Sequence, residues 1–263
     1  MTPEPAATDR YSTGMLSKDT PHERERLESI QRGVDACTTG LIEQLGVRAD
    51  WNCLELGAGA GSVAYWLAER CPQGRTVAVD VDTRYLDAGR APNLEVAEAD
   101  ITDAAFAPGR FDLVHARFLF CHLAGRDEAV ARAAEWLAPG GRILVEEPYH
   151  LPAETSPSAL VRRVLAAYQR KYADSGADMT WARGLPGLLA RSGLTDVSYS
   201  GNLGRMGGGE QDRWLPLVRQ AAPAMLADGL VTEDELERFA DLLADPSFLD
   251  IPQITISAWG CRG

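Results

Sequence analysis

Lysine is almost missing from this chain, occurring only at Lys18 and Lys171, so arginine supplies nearly all the positive charge. Even so, 26 basic residues face 38 acidic ones, a formal net charge of −12. Affinity for nucleic acid comes largely from Lys and Arg neutralising phosphates, so a polyanionic partner is disfavoured. Paired cysteines are missing too. Cys37, Cys53, Cys71, Cys121 and Cys261 are odd in number, widely spaced and never in a C-x-x-C pair, which argues against a disulfide framework or zinc site and for reduced structural thiols. No apolar run reaches the length that spans a bilayer, and Met1 to Arg10 lacks the basic-then-apolar layout of a secretory signal. A soluble, cytoplasmic protein is the expectation. No carboxylate cluster has metal-ligand spacing, so no metal is expected, and there is no internal repeat or low-complexity tract.

What is present is enough apolar material for a sizeable core: 45% of 263 residues are hydrophobic. Residues 1 to about 20 are rich in Pro, Thr and Ser and read as an extended arm, ordered only where it packs on the body or a ligand. Leu27, Ile30, Val34, Leu41, Ile42 and Leu45 recur at helical spacing, predicting two helices, or one helix broken near Thr38-Thr39-Gly40. The body then alternates: strand 52–56, helix 61–71, strand 76–80, helix 83–90, strand 94–98, strand 111–116, helix 126–138 and strand 141–147. Alternation of this kind predicts an α/β fold with a parallel sheet, right-handed crossovers and helices on both faces. Beyond Pro148, helices are predicted over Leu160–Tyr172 and Leu185–Ser192, then a strand over Thr195–Tyr199, a helical region over 212–243 and a closing strand over Ile254–Trp259.

The densest signal is Leu54-Glu55-Leu56-Gly57-Ala58-Gly59-Ala60-Gly61-Ser62, followed by Asp80 at the end of Thr76-Val77-Ala78-Val79-Asp80. Strand, glycine turn, helix and an acid at the tip of the next strand make half of a nucleoside-binding crevice: glycine lets backbone N–H groups approach the ligand, and the acid accepts ribose hydroxyls. The spacing is E-x-G-x-G-x-G, not the G-x-G-x-x-G that faces a pyrophosphate. Asp80 could instead cap the next helix, a role for which Asp82 competes.

This pattern resembles motif I of the class I S-adenosylmethionine-dependent methyltransferases, in particular a bacterial small-molecule, natural-product subset. The resemblance covers roughly residues 11–263 and is strongest from Trp51 to Pro148. It implies a Rossmann-like seven-stranded sheet in the order 3-2-1-4-5-7-6, strand 7 antiparallel, with an N-terminal helical lid and a helical insertion between strands 6 and 7. It implies residues 1–47 as arm and lid, and 48–263 as the core with helical cap elements near 152–175 and 205–250. It further maps Glu55, Gly57, Ala58, Gly59 and Gly61 onto the methionine end of S-adenosylmethionine, Asp80 onto the ribose, Val81, Asp100 and Ile101 onto the adenine, and the end of Phe111–Arg117, including Arg117, onto the methionine portion. Leu137-Ala138-Pro139-Gly140-Gly141 matches the turn common before the fifth strand. Tyr11, Gly14, Glu23, Arg26, Leu27 and Gln31 resemble a Y-x-x-G, E-x-x-R-L-x-x-x-Q layout that would close over the cofactor; a solvated amphipathic helix is the plainer reading of Glu23 and Arg26.

A sulfonium methyl is already electrophilic, so placement of the acceptor supplies much of the rate, and a base is needed only for a protonated nucleophile of high pKa. Of the four histidines, His122 and His150 follow strand ends and are the candidates for a substrate role, with a structural role as the competing reading. Trp181, Trp214 and Phe248 are candidate pocket walls or core residues. The expected function is methyl transfer to an O, N or C atom of a small organic molecule in specialised metabolism. The rivals are a cyclase that uses bound S-adenosylmethionine without transfer, and a non-catalytic cofactor-binding module.

Overall fold

The computed structural model describes residues 17–263. Backbone contacts divide the chain into two units, one made of residues up to Gly33 with 148–180 and 202–255, the other of 34–147, 181–201 and 256–263. Tyr11 and Gly14 lie outside the described residues.

The second unit carries α1 (Glu23–Gln44) from Val34 on, β1 (Cys53–Leu56), α2 (Ser62–Arg70), β2 (Thr76–Asp80), β3 (Leu94–Glu98), β4 (Phe111–Arg117), α3 (Arg126–Glu135), β5 (Leu137–His150) up to Glu147, and α5 (Leu185–Arg191). With β6 (Thr195–Leu203) and β9 (Gln253–Cys261) the strands form one seven-stranded sheet in the order β3-β2-β1-β4-β5-β9-β6. β1 pairs in parallel with β2 and β4, Leu56 standing opposite Val79 and Ala116. β9 runs antiparallel to β5: Gly140 donates to the carbonyl of Arg262, which donates back to Gly141. The expected α/β sheet order is therefore borne out.

The core forms because every residue of β1 is buried and α2 turns Val63, Ala64, Leu67 and Ala68 inward at helical spacing. Ile42, Leu45, Trp51, Cys53, Leu67, Leu113 and Leu144 make one continuous cluster. Cys53 and Cys71 bring their sulfurs to 3.8 Å, and all five cysteines are free thiols.

The first unit is mainly helical. α4 (Ala159–Asp174) buries Val161, Val164, Leu165, Tyr168 and Tyr172 at steps of three and four, and packs with α6 (Leu215–Ala227) and α7 (Glu233–Ala244). Thr232 and Glu235 close a reciprocal capping box at the start of α7. A two-stranded ribbon, β7 (Met206–Gly207) with β8 (Leu249–Asp250), accompanies them. Among the described residues no helix is long and apolar enough to cross a membrane.

Three local expectations need correction. The helix predicted over 83–90 is only a 3-10 turn at Ala88–Arg90, because the Asp82 and Asp87 side chains accept from the backbone of Arg84 and Gly89 in place of a helical ladder. No break occurs at Thr38-Thr39-Gly40: α1 is continuous, with Thr39 Oγ1 donating back to the Asp35 carbonyl and Thr38 Oγ1 donating outside the helix. Pro139-Gly140-Gly141 lies inside β5, not before it, at a register shift against β4 between Phe111 and Leu113.

Candidate functional site

The glycine turn joins β1 to α2 at the carboxyl end of the sheet, where open α/β sheets bind ligands. Gly57, Gly59 and Gly61 have φ of 65°, 59° and 84°, a region that side chains with a Cβ rarely enter. A Cβ on Gly61 would lie 2.6 Å from the Tyr65 ring, so this position is closed to a side chain by contact as well as by φ. Asp80 ends β2 next door. Its Oδ2 accepts from the Gly59 N–H at 2.7 Å and its Oδ1 accepts from the Asp82 N–H at 3.0 Å. The acid therefore stands directly on the glycine turn, and Asp82 bonds the backbone of Arg84.

Val81 follows at the same edge and is partly buried. After β3, Asp100 accepts from the backbone N–H and hydroxyl of Thr102 at 2.8 and 2.6 Å, turning the chain so that Ile101 is buried. At the end of β4, Arg117 is held on α1: Nη1 donates to Thr38 Oγ1 at 2.8 Å and Nη2 to Asp35 Oδ1 at 2.7 Å. Glu55 is buried beside His115, whose Nδ1 lies 2.6 Å from Glu55 Oε2; the two are register partners on adjacent strands and so share a sheet face.

His115 Nε2 meets Glu146 Oε2 at 3.2 Å from the other side. Burial opposes charge on this ring, but Glu55 and Glu146 outweigh it and push its pKa up to about 9. Burial pulls Glu146 up, yet its bonds with His115, Thr38 and Ser257 hold it below the ordinary carboxylate range. The next residue, Glu147, points to the opposite face and accepts from the N–H groups of Leu119, Phe120 and Cys121 at 3.1, 2.7 and 3.3 Å. It thereby secures the turn after β4, where Phe118 has a φ of 53°. Burial dominates its environment and pushes its pKa up to about 7. His122, half-buried, sits in that turn, its N–H donating to the Leu119 carbonyl.

His150 belongs to the other unit. It is buried among Tyr168 and Trp214, with ring centroids at 5.9 and 5.8 Å, and Tyr172 lies behind Tyr168, its ring tilted by 45° at 4.7 Å. Burial pushes its pKa down to about 4, and its Nδ1 has no hydrogen-bond partner. In the same unit the buried Glu23–Arg26 pair closes at 2.8 Å, and Gln220 Nε2 donates to Glu23 at 2.9 Å, so these residues are not a solvated helix face. Trp181 donates its indole N–H to Asp127, whereas Trp214 is buried and Phe248 half-buried. Among the described residues, no group of three or more His, Cys, Asp or Glu side chains is placed to hold a metal ion.

Sequence reasoning passed over Asp35, Thr38, His115, Glu146 and Glu147. The available signal was polarity inside apolar strands: His115 in Leu113–Ala116, and Glu146-Glu147 after Ile143-Leu144-Val145.

Residues 53–141 match the family described as a methyltransferase domain. The chain is 29% identical over 186 residues to methyltransferase str3 of Strobilurus tenacellus, covering 68% of this chain and 66% of that protein. It is 34% identical over 115 residues to the ubiquinone/menaquinone biosynthesis C-methyltransferase UbiE of Pseudomonas putida, covering 40% of this chain and 45% of that one. The chain thus spans less than two thirds of the length of these relatives. Among solved structures, phosphoethanolamine N-methyltransferase 2 of Haemonchus contortus, in complex with phosphomonomethylethanolamine and S-adenosylhomocysteine, superposes with a TM-score of 0.54 at 14% identity, over 97% of this chain and 56% of that one. The match over residues 53–141 supports the resemblance to the class I methyltransferases.

Proposed function

We propose that the protein is a cytoplasmic S-adenosylmethionine-dependent methyltransferase acting on an O, N or C atom of a small organic molecule. The observation that carries this reading is Asp80 at the tip of β2, bonded to Gly59 in a turn of three left-handed glycines. That donor set fits a nucleoside with an amino-acid tail: the carboxylate can exchange Gly59 for ribose hydroxyls, and the turn brings main chain close without side-chain bulk.

In this reading Glu55, Gly57, Ala58, Gly59 and Gly61 hold the methionine end, Asp80 the ribose and Val81, Asp100 and Ile101 the adenine, with Arg117 and Tyr11 as further cofactor contacts. When bound, the cofactor supplies a sulfonium-activated methyl group. The chain's own work is to bind, orient and exclude water. His150, neutral at physiological pH with Nδ1 unpartnered, is the candidate to accept a hydrogen bond from the acceptor, with His122 as the second candidate. Residues 1–47 are taken as arm and lid, 48–263 as core with cap elements near 152–175 and 205–250. The helices between β6 and β9 exceed what cofactor binding requires, which supports a tailored acceptor and a place in specialised metabolism.

Calorimetric titration with S-adenosylmethionine, S-adenosylhomocysteine and NAD tests the reading. Binding of the first two without NAD is the expected result; NAD binding alone would overturn it. Stoichiometric release of S-adenosylhomocysteine with an acceptor then separates transfer from a cyclase or a binding module.

A further inference from the structure

A continuous polar circuit, buried at Glu55, His115, Glu146 and Thr38, runs from one side of the glycine turn to the other. It begins at Glu55, two residues before Gly57, and passes to His115 and on to Glu146. Thr38 Oγ1 donates to the same Glu146 oxygen at 2.6 Å, and Arg117 Nη1 donates to Thr38 Oγ1. Arg117 Nη2 donates to Asp35 Oδ1, which also accepts at 3.1 Å from the hydroxyl of Ser62, directly after Gly61. Ser257 Oγ occupies the remaining Glu146 oxygen at 2.7 Å. The circuit takes residues from α1, β1, α2, β4, β5 and β9, and its two ends bracket the segment Leu56–Gly61.

Stability alone does not explain such an arrangement. Burying the polar side chains of Glu55, His115 and Glu146 costs desolvation that apolar side chains of similar size would avoid, whereas a fully satisfied polar network fixes geometry. Nothing else in the circuit is spare: Asp35 serves Ser62 and Arg117 with one oxygen, and Thr38 both donates and accepts.

We infer that this circuit sets the conformation of the glycine turn, with Asp35, Thr38 and His115 as positioning residues for nucleoside binding. The inference rests on the functional reading above for its ligand, not for its geometry. α1, whose sequence shows no cofactor motif over 34–44, thereby becomes part of the machinery that shapes the crevice floor.

The test uses the full chain with Asp35→Ala, Asp35→Asn, Thr38→Val and His115→Gln, and Cys37→Ser as an exposed control on the same helix. Three quantities are read: hydrogen exchange of the 57–62 amides without ligand, Kd for S-adenosylhomocysteine, and the melting temperature of the free protein. Asp35 is only half-buried, so Asp35→Ala should melt within about 2 °C of the parent while exchange in the turn speeds up and Kd rises by about tenfold. Asp35→Asn keeps an acceptor for Ser62 and should fall between the two. Thr38→Val should match Asp35→Ala, and the Asp35→Ala/Thr38→Val pair should cost little more than either alone, because both open one circuit. Unchanged turn exchange and Kd in Asp35→Ala and Thr38→Val would overturn the inference, as would losses that merely track falling melting temperature. Should the parent not bind S-adenosylhomocysteine, the functional reading fails, and exchange in the free protein still decides the circuit.

Discussion

Asp80 Oδ2 accepts the Gly59 N–H at 2.7 Å, so the acid that ends one strand and the glycine that turns out of its neighbour form a single unit before any ligand arrives. Register places them there: Leu56 is paired with Val79, and the turn leaves β1 one residue later, as β2 reaches its tip.

Replacing Asp80 by Ala should weaken S-adenosylhomocysteine binding by about 1.5–3 kcal/mol, the range for hydrogen bonds to a charged group, with the circular dichroism of the fold unchanged. Calorimetry reads the loss. Parent-like affinity would move the ribose contact to Asp82.

Gly61→Val is expected to damage the turn more than Gly40→Ala damages α1. At Gly61 a Cβ meets the Tyr65 ring at 2.6 Å with φ at 84°, whereas at Gly40 nothing lies within 4 Å and alanine favours the helix by about 1 kcal/mol. Urea unfolding should therefore show loss for the first and a small gain for the second.

Glu147 makes a pH prediction. Its pKa is raised in the folded state, from 4.5 to about 7, so the folded protein holds this proton where the unfolded chain has lost it. The stability it contributes is full below pH 4.5 and is lost as pH rises through about 7. Glu147→Gln keeps an acceptor for Leu119 to Cys121 and should remove that loss, about 3 kcal/mol between pH 4.5 and 8. Denaturant midpoints of parent and variant across that range check it.

For His150 the sign is opposite. Its pKa is lowered to about 4, so its contribution is present above 6.5 and lost as pH falls through about 4. His150→Phe fills the same aromatic cluster without the unpartnered nitrogen and should resist acid better. If His150 contacts the acceptor, the variant also loses methyl transfer while keeping cofactor affinity; full turnover would assign it to packing alone.

Tyr11 lies outside the described residues, and its assignment rests on the sequence resemblance. Tyr11→Ala should weaken S-adenosylhomocysteine binding by about 1 kcal/mol, the scale of an aromatic contact. Unaltered affinity would remove it from the site.

The sequence by itself determined the features that depend on local chemistry. Three glycines with an acid ahead of them favour a left-handed turn, and Thr76–Val79 is a strand-forming run, rich in β-branched residues, that ends at Asp80. Alternating periodicities were enough for a parallel α/β sheet, while its strand order came from the family resemblance. Tertiary structure decided the rest, because it depends on which faces meet. His115 and Glu55 are 60 residues apart, and Thr38 and Glu146 are 108 apart; only the order β1-β4-β5 and the seat of α1 make them neighbours. The same packing keeps α1 continuous through Thr38-Thr39-Gly40. It also makes one buried histidine cationic between two carboxylates and leaves another neutral among aromatic rings, a difference no residue spacing contains.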